Sequence, residues 1–113
     1  MIIANTIRGA KRPIFLGDIE NAVAARFGLT REAMRASSRA RAVARPRQIA
    51  MFLAREVTDH SLPRIGRHFG RDHTTVLHAV RRITRLAAED PRIAAEVEGC
   101  RELLARAREG EVP

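Results

Sequence analysis

A short polar stretch, Asp72-His73-Thr74-Thr75, brings together side chains that donate and accept hydrogen bonds. It contains no apolar residue, and a helix-like pattern follows that carries Arg81, Arg82 and Arg85. The polar groups would thus lie at the N-terminus of a helix, where the recognition helix of a helix-turn-helix motif contacts base edges. The pattern favours a helix that reads DNA.

Each of these side chains suits a base. Asp72 can accept from cytosine N4, His73 can donate or accept, and the Thr74 methyl group can pack against a thymine methyl group. We predict that Asp72, His73 and Thr74 contact bases. Asp72 also fits a plain helix N-cap, and the two roles are compatible.

Catalytic and metal-binding interpretations of the same residues are weaker. Neighbouring side chains on a helix point in different directions, so we expect no nucleophile–base–orienter chain from Asp72, His73 and Thr74. The four histidines are eight, five and five residues apart, whereas two imidazoles on one helix face need a spacing of four. Lys11 follows Ala10, so a Walker motif is lacking. We predict no enzymatic activity, no metal and no other cofactor.

A second basic feature precedes this stretch. Arginines alternate with small residues in SSRARAVA, residues 37–44, which predicts a thin basic loop able to enter a minor groove. Pro46 predicts a helix start directly afterwards, because its missing N–H costs nothing in a first turn. Arg47 and Gln48 would then lie where backbone N–H groups favour phosphate. The alternative is a solvated charged loop.

The charge distribution supports a nucleic-acid partner. The chain of 113 residues has a net charge of +8, and residues 31–85 hold thirteen arginines against four acidic residues. Residues 86–113 instead hold four arginines against seven acidic residues. Because a generic surface mixes the two signs, this concentration indicates an acidic partner for the middle of the chain.

Length and composition predict one small domain with an aliphatic core. Hydrophobic residues make up 45% of the chain and aromatic residues only 4%. The single cysteine, Cys100, is expected to be a small core side chain in a reducing setting. No apolar run has the length of a membrane span or a secretory signal. We expect a cytoplasmic, nucleoid-associated protein.

Helical periodicity predicts an all-α domain of about six helices, over residues 18–27, 30–35, 46–58, 61–69, 72–88 and 91–108. Asp18, Thr30, Ser61 and Asp90 are the expected caps. In the helix over 46–58, Arg47, Gln48, Met51 and Arg55 are expected to lie away from the buried stripe. We place the domain at 18–109, after a flexible arm over 1–17 whose Ile14-Phe15-Leu16 anchors on the core.

The stretch RPRQIAMFLAREVTDHSLPRIGRHFGRDHTTVLHAVRRI, residues 45–83, resembles a known family. Its runs RDHTTVLHA and ARPRQIAM are similar to signatures of the C-terminal DNA-binding domain of the bacterial replication initiator DnaA. The similarity extends over about 18–105. The resemblance implies a helix-turn-helix that reads the DnaA box, an element of the TTATNCACA type, as a monomer.

The resemblance also implies residue roles. It places Arg39 in the minor groove and Asp72, His73 and Thr74 at major-groove bases. It places Arg47, Gln48, Arg55, Pro63 and Thr75 against the phosphate backbone. From the basic loop, the turn and the exposed helix face we add four further predicted backbone contacts, which are Arg41, Arg45, Arg71 and His78.

Two departures from the family pattern matter. Family members commonly have two glycines before RDHTT, whereas this chain has Phe69-Gly70-Arg71, which could shift the recognition helix. The initiator's AAA+ ATPase and N-terminal interaction domain have no counterpart in this sequence. We therefore expect a stand-alone DNA-binding domain of bacterial type.

We predict a protein that binds double-stranded DNA at DnaA-box-like sites and modulates replication initiation or transcription. One alternative is a protein–protein adaptor that acts on the replication initiation machinery through the acidic C-terminal helix. The others are a nonspecific DNA binder and a degenerate relic that no longer binds.

Overall fold

The structure, a computed structural model, describes residues 13–109, and these form six helices and no strand. The helices are α1 Leu16–Phe27, α2 Arg31–Arg35, α3 Arg41–Val57, α4 Leu62–Phe69, α5 His73–Glu89 and α6 Pro91–Arg108. The predicted all-α fold is confirmed. Most of the predicted arm lies outside the described residues. Within 13–109, each helix is too short or too polar to cross a membrane.

Local signals in the sequence set most of the helix ends. The Thr30 and Ser61 hydroxyls accept from the backbone N–H groups of Ala33 and Arg64 at the starts of α2 and α4. Asp90 lies between α5 and α6, where its carboxylate accepts from the Arg92 N–H at 2.9 Å. These side chains satisfy N–H groups that have no partner within the helix.

Helix α3 is the centre of the domain. It packs against α1 and α5, while α6 lies across the same two helices and α4 packs mainly on α5. Fully buried side chains from all six helices meet there, including Ile19, Val23, Met34, Ile49, Leu53, Phe69, Val76, Ile83, Val97 and Cys100. Burial raises the pKa of the Cys100 thiol to about 11, so this thiol is an inert core group as predicted.

The first helix begins at Leu16, two residues before the predicted start. Phe15 is its N-cap residue, and the Asp18 carboxylate accepts from the Phe15 backbone N–H at 2.9 Å. Asp18 therefore stabilises the first turn from within the helix, and the prediction that it is the N-cap is wrong. Leu16 is buried, but Phe15 is 58% exposed, so only part of Ile14-Phe15-Leu16 anchors on the core.

The predicted start of α3 is also wrong. The Ala40 carbonyl accepts from the N–H groups of Val43 and Ala44, so the helix begins at Arg41 and Pro46 lies inside it. Proline there removes one hydrogen bond near the N-terminus, and the preceding residues stay helical. Met51 is 1% exposed and Arg47 is 6% exposed, contrary to prediction, because α3 packs against α1, α2, α4 and α5.

One buried carboxylate links three helices. Glu20 of α1 has no exposed side-chain surface and contacts Arg31 and Arg35 of α2 at 2.7 and 2.9 Å. Its Oε1 also lies 3.1 Å from His68 Nε2 of α4. Desolvation of Glu20 raises its pKa, but the bonds from Arg35, Arg31 and His68 outweigh burial and lower the pKa to about 2. Glu20 thus holds α2 and α4 against α1 as a carboxylate.

Candidate nucleic-acid interface

Helices α4 and α5 form the predicted helix-turn-helix. Helix α4 ends at Gly70, whose φ of 68° is favourable for glycine, and the Arg71 N–H donates to the Gly66 carbonyl at 2.7 Å. Gly66 itself approaches the Arg71 backbone so closely that a Cβ atom would lie 3.3 Å from its carbonyl carbon. The two glycines therefore form the tight turn that orients α5.

The N-terminus of α5 presents the predicted base-reading residues to solvent. Asp72 is the N-cap residue, although its side chain makes no capping bond to the backbone. Its carboxylate instead accepts from the Thr74 hydroxyl and lies 3.1 Å from His73 Nδ1. The Thr74 bond lowers the pKa of Asp72, so this exposed group is a carboxylate.

These contacts differ from the expectation that the three neighbouring side chains point in different directions. Asp72, His73 and Thr74 do touch, because an N-cap residue lies outside the helical spiral and reaches both neighbours. The carboxylate nevertheless stands between the hydroxyl and the imidazole. A nucleophile activated by a base needs the imidazole in that middle place, so the order of the three groups does not suit nucleophilic catalysis.

A groove runs between α3 and α5, and arginines line it. One part is lined by Arg39, Arg41, Ala44, Arg45, Gln48 and Arg82. The adjoining part is lined by Ala44, Arg47, Gln48, Met51, Arg71, Thr75, His78, Ala79 and Arg82. We call this surface the arginine groove. None of its lining residues is acidic, so the groove is suited to an anionic ligand.

Two polar atoms of the groove have no partner in the described part of the protein. Arg45 Nε and Gln48 Oε1 are buried and have no hydrogen-bond partner among the residues that the structure describes. Burial lowers the pKa of Arg45, and the nearby charges of Arg41 and Arg82 lower it further. Like charges gathered around incompletely paired groups favour a ligand that brings negative charge and hydrogen-bonding atoms.

Arg82 belongs to this groove but was not among the predicted contacts. It lies four residues after His78 and seven after Thr75, on the same face of α5. That spacing was visible in the sequence, but the sequence does not show that this face looks toward Arg45 and Gln48 of α3. The structure therefore adds Arg82 to the candidate site.

The other predicted residues have different surroundings. Arg39 is exposed just before α3, and Arg41 is exposed in its first turn. Arg55 is exposed near the end of α3, with Nη1 3.4 Å from the His60 carbonyl, and Pro63 is exposed at the start of α4. Neither Arg55 nor Pro63 lines the arginine groove, and their phosphate contacts stay predictions.

Arg47 is placed differently from the expected phosphate contact. Its guanidinium points inward and donates to the carbonyls of Met34, Ala36 and Ser38 at 2.7, 2.7 and 3.2 Å. Burial lowers its pKa, and so does the neighbouring charge of Arg71. With its donors directed at loop carbonyls, Arg47 holds the segment before α3 in this conformation and offers little surface to a phosphate.

Two carboxylates of the acidic helix α6, those of Glu96 and Glu98, pair with arginines of the same domain. Glu96 pairs with Arg26 of α1 at 2.7 Å, and Arg101 pairs with Glu98 and with Glu56 of α3. The Arg26–Glu96 pair joins α6 to α1, the Arg101–Glu56 pair joins it to α3, and the Arg101–Glu98 pair lies within α6. The adaptor surface on the acidic face of α6 stays a prediction.

The chain is similar in sequence to one protein family and to several known proteins. Residues 16–83 match the family described as "Bacterial dnaA protein helix-turn-helix". The chain is 47% identical over 103 residues to the chromosomal replication initiator protein DnaA of Sphingopyxis alaskensis, covering 90% of this chain and 23% of that protein. It is 49% identical over 98 residues to DnaA of Caulobacter vibrioides, covering 86% and 20%. The chain thus spans about a fifth of the length of these relatives.

Proposed function

The chain belongs to the bacterial DnaA helix-turn-helix family, a DNA-binding rather than a catalytic domain, and on that premise we propose that it binds DnaA-box-like sites in double-stranded DNA. Binding at such sites would modulate replication initiation or transcription of nearby genes. Within this proposal the chain acts by occupying DNA, with no reaction at the site.

The continuity of the arginine groove with the N-terminus of α5 carries the proposal. Thr75 and His78 line the groove, and Thr75 directly follows the exposed Asp72, His73 and Thr74. An α-helix fits the major groove of DNA with its N-terminal side chains at the base edges. In that orientation the exposed arginines of the groove would face the phosphates beside the bases being read.

The arginine segment before α3 supports a second contact. Arg39 is exposed and lines the same groove as Arg82, so its side chain starts from the edge of the proposed interface. Arginine is favoured in narrow minor grooves, where the negative potential is strong. We propose that α5 reads the major groove while Arg39 enters the adjacent minor groove.

The test compares two duplexes at near-physiological salt. One carries a TTATNCACA element and the other a scrambled element of equal length and composition. Specific sites usually bind more tightly by roughly a thousandfold or more, so a difference of that order is expected. Equal affinity for both duplexes would refute the sequence-specific function and leave a nonspecific binder.

Two single substitutions test the proposed reading residues. Arg39→Ala and His73→Ala are each expected to weaken binding to the specific duplex by about 1–3 kcal/mol, because each removes a base contact. Fluorescence anisotropy titrations would measure this loss. The control is Arg106→Ala, since Arg106 is exposed near the end of α6 and lines neither part of the arginine groove. Unchanged affinity in both reading variants would contradict the proposed interface.

A further inference from the structure

Two arginines from different parts of the chain converge on one loop carbonyl. Arg47 Nη2 and Arg71 Nη2 each donate to the Ala36 carbonyl oxygen at 2.7 Å. Ala36 begins the five-residue segment 36–40, which joins α2 to α3 and carries Arg39. Arg47 lies in α3 and Arg71 in the turn of the helix-turn-helix, so this carbonyl links three parts of the candidate site.

Further bonds hold the same segment from both sides. Arg47 also reaches the carbonyls of Met34 and Ser38, at either side of Ala36. Arg71 Nη1 lies 3.3 Å from the Phe69 carbonyl, within its own turn. Arg47 thus fixes the course of the segment, while Arg71 connects it to the turn that precedes the recognition helix.

The two guanidinium groups are held together despite their like charges. The charge of Arg71 lowers the pKa of Arg47, after the larger effect of burial. Placing two cations on one neutral oxygen costs electrostatic energy, which the hydrogen bonds to the loop carbonyls must offset. A planar guanidinium can bridge several carbonyls in fixed directions, whereas a lysine ammonium is a point charge on a flexible stem.

We propose that Arg47 and Arg71 form an arginine clamp that positions Arg39 relative to α5, and so sets the spacing between the minor-groove and major-groove contacts. This inference rests on the proposed DNA-binding function. It makes Arg47 a positioning residue that acts on DNA affinity through Arg39, instead of a direct phosphate contact.

Arg47→Lys distinguishes a positioning role from a direct phosphate contact. It keeps the positive charge but cannot donate to three loop carbonyls at once. A direct phosphate contact would largely survive this change. The clamp predicts that Arg47→Lys weakens binding to the specific duplex by roughly 5- to 150-fold, as Arg39→Ala does. It also predicts the affinity of the Arg39→Ala/Arg47→Lys double variant. This variant should bind the specific duplex about as tightly as the single variant with the lower affinity, because the effects of coupled residues are not additive. Arg106→Lys is the matched control.

A measurement without DNA tests the clamp directly. Backbone order parameters of residues 36–40, from nitrogen relaxation, are expected to fall from rigid values near 0.85 toward the flexible range in Arg47→Lys. Circular dichroism would verify that the variant is folded. If Arg47→Lys does not fold, Arg71→Lys provides the same tests, since it removes the Ala36 bond from the half-buried turn residue.

Each outcome decides the inference. Unchanged order in residues 36–40, near wild-type DNA affinity, or additive effects of the Arg39 and Arg47 variants would each overturn it. A wild-type protein that binds the specific and scrambled duplexes equally would refute the proposed function instead. In that case the order parameters would still determine whether the arginine pair holds the segment.

Discussion

Gly66→Ala is expected to destabilise the domain by about 3 kcal/mol and to abolish discrimination between the specific and scrambled duplexes. A Cβ atom at this position would overlap the carbonyl oxygen of Arg71 and lie 3.3 and 3.4 Å from the carbonyl carbons of Arg71 and Asp72. These are backbone atoms of the turn, so relief requires that α5 move away from α4. The gain in helix propensity, at most about 1 kcal/mol, is smaller than this cost. Urea unfolding and duplex titrations measure the two effects.

Gly99→Ala is the matched control for this prediction. Gly99 also lies inside a helix, but its added Cβ would meet the Arg26 side chain, with Nε at 2.6 Å. The Arg26 side chain is 39% exposed and can rotate into solvent at the cost of its surface ion pair with Glu96. We expect a change within about 1 kcal/mol. Similar stability of the two variants would show that the approach of Gly66 to the turn does not matter.

Glu20→Gln is expected to cost about 3 kcal/mol of unfolding free energy near neutral pH. The substitution removes the charge that accepts from Arg31, Arg35 and His68, in a side chain with no exposed surface. Because the pKa of Glu20 is lowered from 4.5 to about 2, its contribution is fully present above pH 4.5. The contribution is lost as pH falls through about 2, since the protonated carboxyl of the wild type then carries no charge, like the amide of the variant.

The pH dependence distinguishes this carboxylate from others. The stability difference between wild type and Glu20→Gln should be constant above pH 4.5 and shrink toward zero near pH 2, as measured by urea unfolding at each pH. Glu56→Gln is the control, because Glu56 is 39% exposed in its pair with Arg101 and should contribute about 1 kcal/mol or less. A difference that does not change with acidification would contradict the role given to Glu20.

Much of the candidate site was visible in the sequence because local rules place it. Gly70 marks the C-terminus of α4 and Asp72 marks the N-terminus of α5. Together they predict the first residue of α5 to within one position. The polar side chains of the next residues then predict that this end of α5 contacts bases. The run of arginines over 31–85 indicates an anionic partner whatever the packing.

The start of α3 shows where local rules fail. Proline is favourable in the first turn of a helix, because the N–H that it lacks would have no partner there. The sequence therefore predicts that α3 begins at Pro46. Alanine and valine before Pro46 extend the helix to Arg41 instead, and α3 is held by neighbours on two sides. As a result Arg45 belongs to a helix face in the arginine groove instead of a loop.

A basic all-α domain of the DnaA helix-turn-helix family, with polar residues at the start of α5, follows from local sequence patterns. Three features appear only in the folded chain: the burial of Arg47 against loop carbonyls, the groove shared by Arg82 and Arg45, and the contact of Glu20 with His68. Sequence separation explains the difference. Helix caps and periodicity act within a few residues, whereas Glu20 and His68 are 48 residues apart and meet only when α1 and α4 have packed.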